Sequence, residues 1–239
     1  MSVSADGKAL EQLLSRKLAL EASVSCEREL SARIRELRHW QAARLAGTYG
    51  DFAHDPRHAK AIAFFLTDLY GPHDFARRDT DLIGALNRLR RTLPRALLEL
   101  LAMAVELDVI TSELDRAVAQ RLAPGAITAS AYAAAYRAAG KRDARQRQIE
   151  LIVAIGAALE RVVRRPAVGL ALRVAHFPAH ALGFGALQDS LERGFAAFRD
   201  MNSAEPLLGA IRERETRLSE AIFRDDAAAL DPLQRGAAT

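Results

Sequence analysis

The chain reads as all-α: a multi-helix bundle of about eight to nine helices with a long N-terminal helical arm. Apolar residues recur at three- and four-residue spacing almost throughout, which is the period of one helix face. Alternating β-branched runs bounded by turn signals, the mark of strands, are not found. Half of the 239 residues are apolar but only 6% are aromatic, so the core must be built from Leu, Ala, Ile and Val, the composition of packed helices.

Each element follows from local signals. In residues 7–46, Leu10, Leu14 and Leu18, then Leu30, Ile34, Leu37 and Gln41, lie on one stripe with charge between. They predict one very long helix or two in line, with residues 22–29 as the weak middle. Asp55-Pro56 pairs an N-cap with proline at the first helical position. It opens a helix carrying Ile62, Phe65, Leu66 and Leu69, which closes at Gly71-Pro72. Asp79 or Thr80 caps the next, with Leu82, Ile83, Leu86 and Leu89 inward. Thr92 and Pro94 begin a helix reaching about Arg121, Pro124-Gly125 makes a turn, and Thr128 caps a short Ala-rich helix ended by Gly140. Asp143 starts a helix through Arg164, which Pro166 breaks, and the helical stretch that follows is expected to stop at Pro178. Gly183-Phe184-Gly185 then separates it from a helix over 186–200, and Ser203 with Pro206 opens the last helix. The stretch from Asp225 lacks periodicity and is expected to be a disordered tail. The expected organisation is an arm over 1–46, a helical core domain over 47–224 and the tail over 225–239.

Thirty of the 34 basic residues are arginine, against 30 acidic residues, giving a net charge of +4. A basic chain attracts polyanions, but this excess is modest and dispersed, and an arginine-rich composition also follows from a GC-rich coding sequence. Cys26 is the single cysteine, which excludes an internal disulfide and a cysteine-based zinc site. Residues 1–12 carry Asp6, Lys8 and Glu11 and lack the apolar stretch of a signal peptide. The longest apolar run, 151–159, is too short to span a bilayer. A cytoplasmic location without membrane contact is expected.

Candidate chemistry begins on the helix after Pro94, which is apolar nearly all round in its first half yet repeats Glu99, Glu106 and Glu113 at seven-residue spacing. A carboxylate on a central helix must be paired, hydrogen-bonded or protonated. Glu106 is therefore a site candidate, with Arg137, Arg147 or Arg173 as ion-pair partners in the structural alternative. Metal-ligand spacing is sparse. Glu36 and His39 give one Glu-x-x-His match where a di-metal bundle needs two, and His176 and His180 have Pro178 between them, so no metal site and no cofactor are assigned. Gly-x-Ser-x-Gly is absent, and Gly183-Phe184-Gly185 follows a helix rather than a strand, which makes it a turn and not a dinucleotide loop. No catalytic residue is identified. Lys141, Arg142 and Arg145, with Arg161, Arg164 and Arg165, could form a phosphate-contacting helix face, or simply a solvated one.

The segment Phe64-Phe65-Leu66-Thr67-Asp68-Leu69-Tyr70 resembles the motif that names an uncharacterised bacterial family, the FFLEELY-motif proteins, with Thr67 and Asp68 in place of its two glutamates. Tyr70-Gly71-Pro72-His73-Asp74-Phe75 with Arg78-Asp79, Glu106-Leu107-Asp108, Glu113-Leu114-Asp115 and Tyr136-Arg137 extend the likeness from about His39 to Arg217. The resemblance implies an all-helical bacterial protein and no particular activity.

Three functions are compatible with these residues. The first is a non-catalytic helical protein working through protein–protein contact or self-association, because the apolar stripe of the arm needs a mate. The second is a protein that binds or converts an apolar or anionic small molecule near Phe64, Tyr70, Asp74, Arg78, Asp79, Glu106 and Arg137. The third is a weak nucleic-acid binder using the basic helix that begins at Lys141.

Overall fold

A computed structural model describes residues 12–13, 15–17, 19–20, 27–66, 95–181 and 185–226, without the side chains of 95–98, 101, 186 and 187. Among them run α1 (Arg28–Thr48), α2 (Gly50–Ala53), α3 (Ala59–Phe64), α4 (Arg95–Ala119), α5 (Ala129–Ala139), α6 (Arg142–Val163), α7 (Pro166–Ala181), α8 (Gly185–Asp200) and α9 (Glu205–Phe223). The described residues contain no strand. The fold is an all-α bundle, as the periodicity predicts.

The helices close over two apolar clusters. One joins Ile34 and Leu37 of α1 to the C-terminal end of α4, the inner face of α5 and Ala221 and Ile222 of α9. The other joins Tyr49 and α3 to Val153 and Val163 of α6, Phe198 of α8 and Leu207, Leu208 and Ile211 of α9. Thus α9 serves the second cluster with its first half and the first cluster with its last turn. Against α9 lies α6, where Gly156 lets the helices approach: a Cβ there would stand 2.4 Å from Leu208 Cδ2.

Local signals set several boundaries. The hydroxyl of Thr128 accepts the amide of Ala131 at the start of α5, and Gly140 ends that helix at φ 63°, a left-handed conformation that glycine adopts without a Cβ clash. Gly125 likewise takes φ 103° in the turn after α4. The second part of the expected arm's stripe finds its mate inside the chain, since Ile34, Leu37 and Gln41 are buried and α1 packs on α4, whereas Leu10, Leu14 and Leu18 lie outside the described residues. The boundary expected at 46/47 falls within the last turn of α1. Residues 21–26 at the weak middle, and the tail beyond 226, lie outside the described residues.

Two expectations need correction. Asp55-Pro56 does not open a helix directly: the Asp55 carboxylate accepts the Arg57 amide at 3.0 Å, the chain makes a turn, and α3 begins three residues after Pro56, at Ala59. Nor does Pro178 end α7, which continues to Ala181. Proline removes the bond to the carbonyl four residues back, that of Val174. Val174 and Pro178 are both exposed, so water can take that carbonyl's place, and only one turn remains beyond the break. The helix therefore tolerates it.

Candidate functional site

Where the two clusters meet, the described helices line a partly open cavity of about 100 Å³, several times the roughly 10–15 Å³ that one water requires. Its polar wall is built by one face of each of five helices. Gln41 and Arg44 come from α1, Thr111 and Asp115 from α4, Tyr132 and Tyr136 from α5, Arg145 and Gln148 from α6, and Glu215 from α9. Every pair is spaced by three or four residues, which places both members on one side of their helix. Ile62, Phe65 and Leu66, at and just beyond the end of α3, with Ile149, Ile152 and Ile211, supply the apolar remainder.

The charged groups around this space are unevenly paired. Asp115, only 2% exposed, takes Nε of Arg38 at 2.8 Å. Arg44 is buried and gives Nη1 to Glu215 at 2.6 Å, while the Tyr49 hydroxyl donates to the same oxygen at 3.0 Å. Arg145, 7% exposed, faces no carboxylate within ion-pair distance among the described residues. Its Nη1 donates to Gln148 Oε1 at 3.1 Å, Gln148 donates in turn to Thr111 at 2.8 Å, and the guanidinium lies 4.3 Å from the centre of the Tyr136 ring. Among the described lining residues two carboxylates, Asp115 and Glu215, thus stand with two guanidiniums, Arg44 and Arg145, and the carboxylates are engaged by Arg38 and Arg44 and not by Arg145. Among the described residues four buried side-chain nitrogens find no partner, and the two that line the cavity are Arg44 Nε and Arg145 Nη2.

An arginine cannot shed its charge to escape burial, and a buried cation without a counter-charge is costly. Polar side chains and the π face of Tyr136 offset part of that cost. The phenols of Tyr49 and Tyr136 stay protonated. Burial first, and then the carboxylate of Glu215, raise Tyr49 far above the ordinary tyrosine range. Burial pushes Tyr136 up to about 12 although Arg145 pulls the other way, and its hydroxyl donates to Ser219 at 2.8 Å. Burial lowers the Arg44 pKa, and Glu215 together with Tyr132 and Tyr49 more than offsets it, for a net rise. The cavity therefore presents the guanidiniums of Arg44 and Arg145, the paired carboxylates of Asp115 and Glu215, hydroxyls and amides, and apolar carbon.

Of the residues singled out in the sequence as a ligand site, the described ones, Phe64, Glu106 and Arg137, do not line this cavity. Tyr70, Asp74, Arg78 and Asp79 lie outside the described residues. Glu106 is half-buried on α4 and takes Arg147 in a bidentate pair at 2.8 and 3.0 Å. Arg137 bonds the Ile222 carbonyl at 3.2 Å and Asp225 at 2.5 Å. Phe64 packs where a Cβ on Gly194 of α8 would sit 2.8 Å from its ring, and it is Phe65 that lines the cavity. Arg145, grouped in the sequence with exposed basic residues, is instead interior; the physical reason is its place beside Gln148 and Ile149 on the buried side of α6. Lys141 and Arg142 are exposed at the start of α6, and Arg161, Arg164 and Arg165 at its end or just beyond. About 22 residues of helix, roughly 33 Å, separate the two groups. The glutamine on the α1 stripe was the available signal for the cavity: Gln41 stands in register with Ile34 and Leu37, so a polar group had to meet something polar inside.

No curated protein and no solved structure matches the chain. The family described as Domain of unknown function (DUF8198) matches residues 21–229, nearly all of the sequence. The chain belongs to that family.

Proposed function

We propose that the protein binds a small anionic molecule inside the bundle, its carboxylate or phosphate group against Arg145 and its body between Tyr132, Tyr136 and the isoleucines. The observation that carries this is Arg145 itself, a buried guanidinium facing a cavity, with an unsatisfied Nη2 and, among the described residues, no carboxylate within ion-pair distance. An incoming anion would supply both the missing counter-charge and the missing acceptor. Gln148, Thr111 and Gln41 are placed to orient polar substituents, as expected of an apolar pocket with a few convergent polar groups.

The test is calorimetric titration of small carboxylates and phosphate monoesters, with thermal unfolding alongside. One site per chain is expected, and ligand at a hundredfold excess over Kd should stabilise by about 2.7 kcal/mol. Arg145→Gln should abolish the ligand-induced rise while leaving the ligand-free protein at least as stable as before, because it removes an uncompensated charge. A marked loss of stability in ligand-free Arg145→Gln, with no anion shifting the parent protein, would make Arg145 a structural residue and end this reading.

A second reading rests on a different observation. Leu170, Val174 and Phe177 form an exposed stripe on α7, Phe177 being 82% exposed, and no described α7 residue is buried. Such a patch suits self-association with a second copy of the chain. Phe177→Asp should then lower the mass seen by sedimentation. We further propose, from the Phe64 to Tyr70 motif, that the chain is a bacterial, cytoplasmic relative of the FFLEELY-motif proteins. In the described residues no helix is long and apolar enough to cross a membrane.

A further inference from the structure

A separate group of side chains lies at the seam of α7 and α8. Because α7 runs on through Pro178, His176 and His180 stand four residues apart on one helical side, with ring centres 4.6 Å apart and planes tilted by 40°. Across the seam α8 brings up Asp189 and, one turn on, Glu192. One ligand atom from each of His176, His180 and Asp189 falls within 4.8 Å of the other two. We propose that these three residues bind a divalent transition metal ion, with zinc the best fit, and that Glu192 holds His176 in its ligating orientation.

The chemistry of the set supports this. Two imidazoles and one carboxylate match zinc, cobalt or nickel, whereas magnesium and calcium prefer oxygen alone. Three protein ligands leave a fourth position for water. Glu192 Oε1 lies 2.9 Å from His176 Nδ1, and the same oxygen accepts Gln188 Nε2 at 2.8 Å, while that nitrogen also bonds the Leu172 carbonyl at 2.8 Å. A carboxylate on Nδ1 fixes the tautomer and leaves Nε2 for the metal, the arrangement that outer partners impose on ligating histidines.

His180 is positioned with similar economy of space. A Cβ on Gly185, the first residue of α8, would stand 2.6 Å from His180 Nδ1, so the ring reaches Asp189 only because residue 185 is glycine. His180 Nε2 and Asp189 Oδ1 are 2.9 Å apart. Ligand atoms in a tetrahedral zinc site sit roughly 3.4 Å from one another, so the ion would part this pair slightly. These side chains are a third to two-fifths exposed, which gives an ion a path in. A metal here would fasten α7, a helix with no buried described residue, to α8.

The experiment uses the full-length chain, stripped with a chelator and titrated with Zn²⁺ and with Co²⁺. One ion per chain, a visible cobalt absorption of tetrahedral intensity and a higher unfolding temperature are expected. His176→Ala with His180→Ala, both at partly exposed positions, should weaken zinc binding at least about a hundredfold. Glu192→Gln, which keeps all three ligands, should weaken it by about tenfold. A folded chain that takes up no zinc overturns the proposal. So does uptake that the double variant leaves undiminished, since it would place the ion elsewhere.

Discussion

Arg38, Arg44 and Arg145 show how one residue type takes different roles according to what faces it. Arg38 is partly exposed and answers Asp115, the most deeply buried charged group described. Breaking a buried pair by removing one partner costs about 3–5 kcal/mol, less where the other retains solvent. Asp115→Ala should therefore lower stability by about 2–3 kcal/mol in urea unfolding, because Arg38 can turn outward. Alkaline pH reads the phenols. Tyr136 titrates at about 12 in the fold against 10.0 unfolded, so its contribution is complete below pH 10 and is lost as pH rises from there through 12. The raised Tyr49 acts in the same sense. Stability should be level through neutral pH and fall above pH 10, and Tyr136→Phe should flatten that fall when unfolding is followed against pH. On the acid side Arg214 lowers the Asp51 pKa and Lys60 that of Asp200. Both pairs contribute above the ordinary carboxylate pKa and fade as pH drops below it.

Helix contacts turn such residues into architecture, and the clearest case is the approach of α6 to α9 at Gly156. Leu208 is buried, so a new methyl at 156 must displace a core side chain. Gly156→Ala should cost about 1–3 kcal/mol despite its better helix propensity. Combined with Leu208→Ala, which removes the obstructing atoms, the two changes should be less than additive in chemical denaturation. Nothing at position 156 in the sequence distinguishes this glycine from a weak point in a helix. Local signals are legible because their causes are local: the Thr128 hydroxyl and the Gly140 backbone act within their own turn. Gln41 was legible as inward from its register with Leu37. Arg145 was not, because an Arg-Gln-rich helix start looks like a solvated surface until the helix facing it is known. Pro178 misled for a related reason, since whether a proline stops a helix depends on whether the carbonyl it releases can find water.

The two clusters and the cavity between them divide the molecule into parts held with unequal strength. α5, α6 and α9 each bury several side chains, and α9 contributes to both clusters, so opening either one disturbs it. α7 buries none of its described side chains and meets α8 largely through partly exposed groups such as Phe195 against Gly169 and His176 against Glu192. Local opening free energy follows buried contact. In hydrogen exchange, amides of α7 should therefore exchange well before those of α5, α6 and α9, which should approach the global unfolding limit. The two proposed sites then make separable changes to this ranking. An anion at Arg145 touches walls drawn from both clusters and should slow exchange in α1, α5, α6 and α9 while leaving α7 unchanged. Zinc at His176, His180 and Asp189 should slow α7 and the start of α8 alone. If either ligand protects every helix equally, the molecule opens as one unit and the division into strong and weak parts is wrong. If zinc protects the core but not α7, its site lies elsewhere.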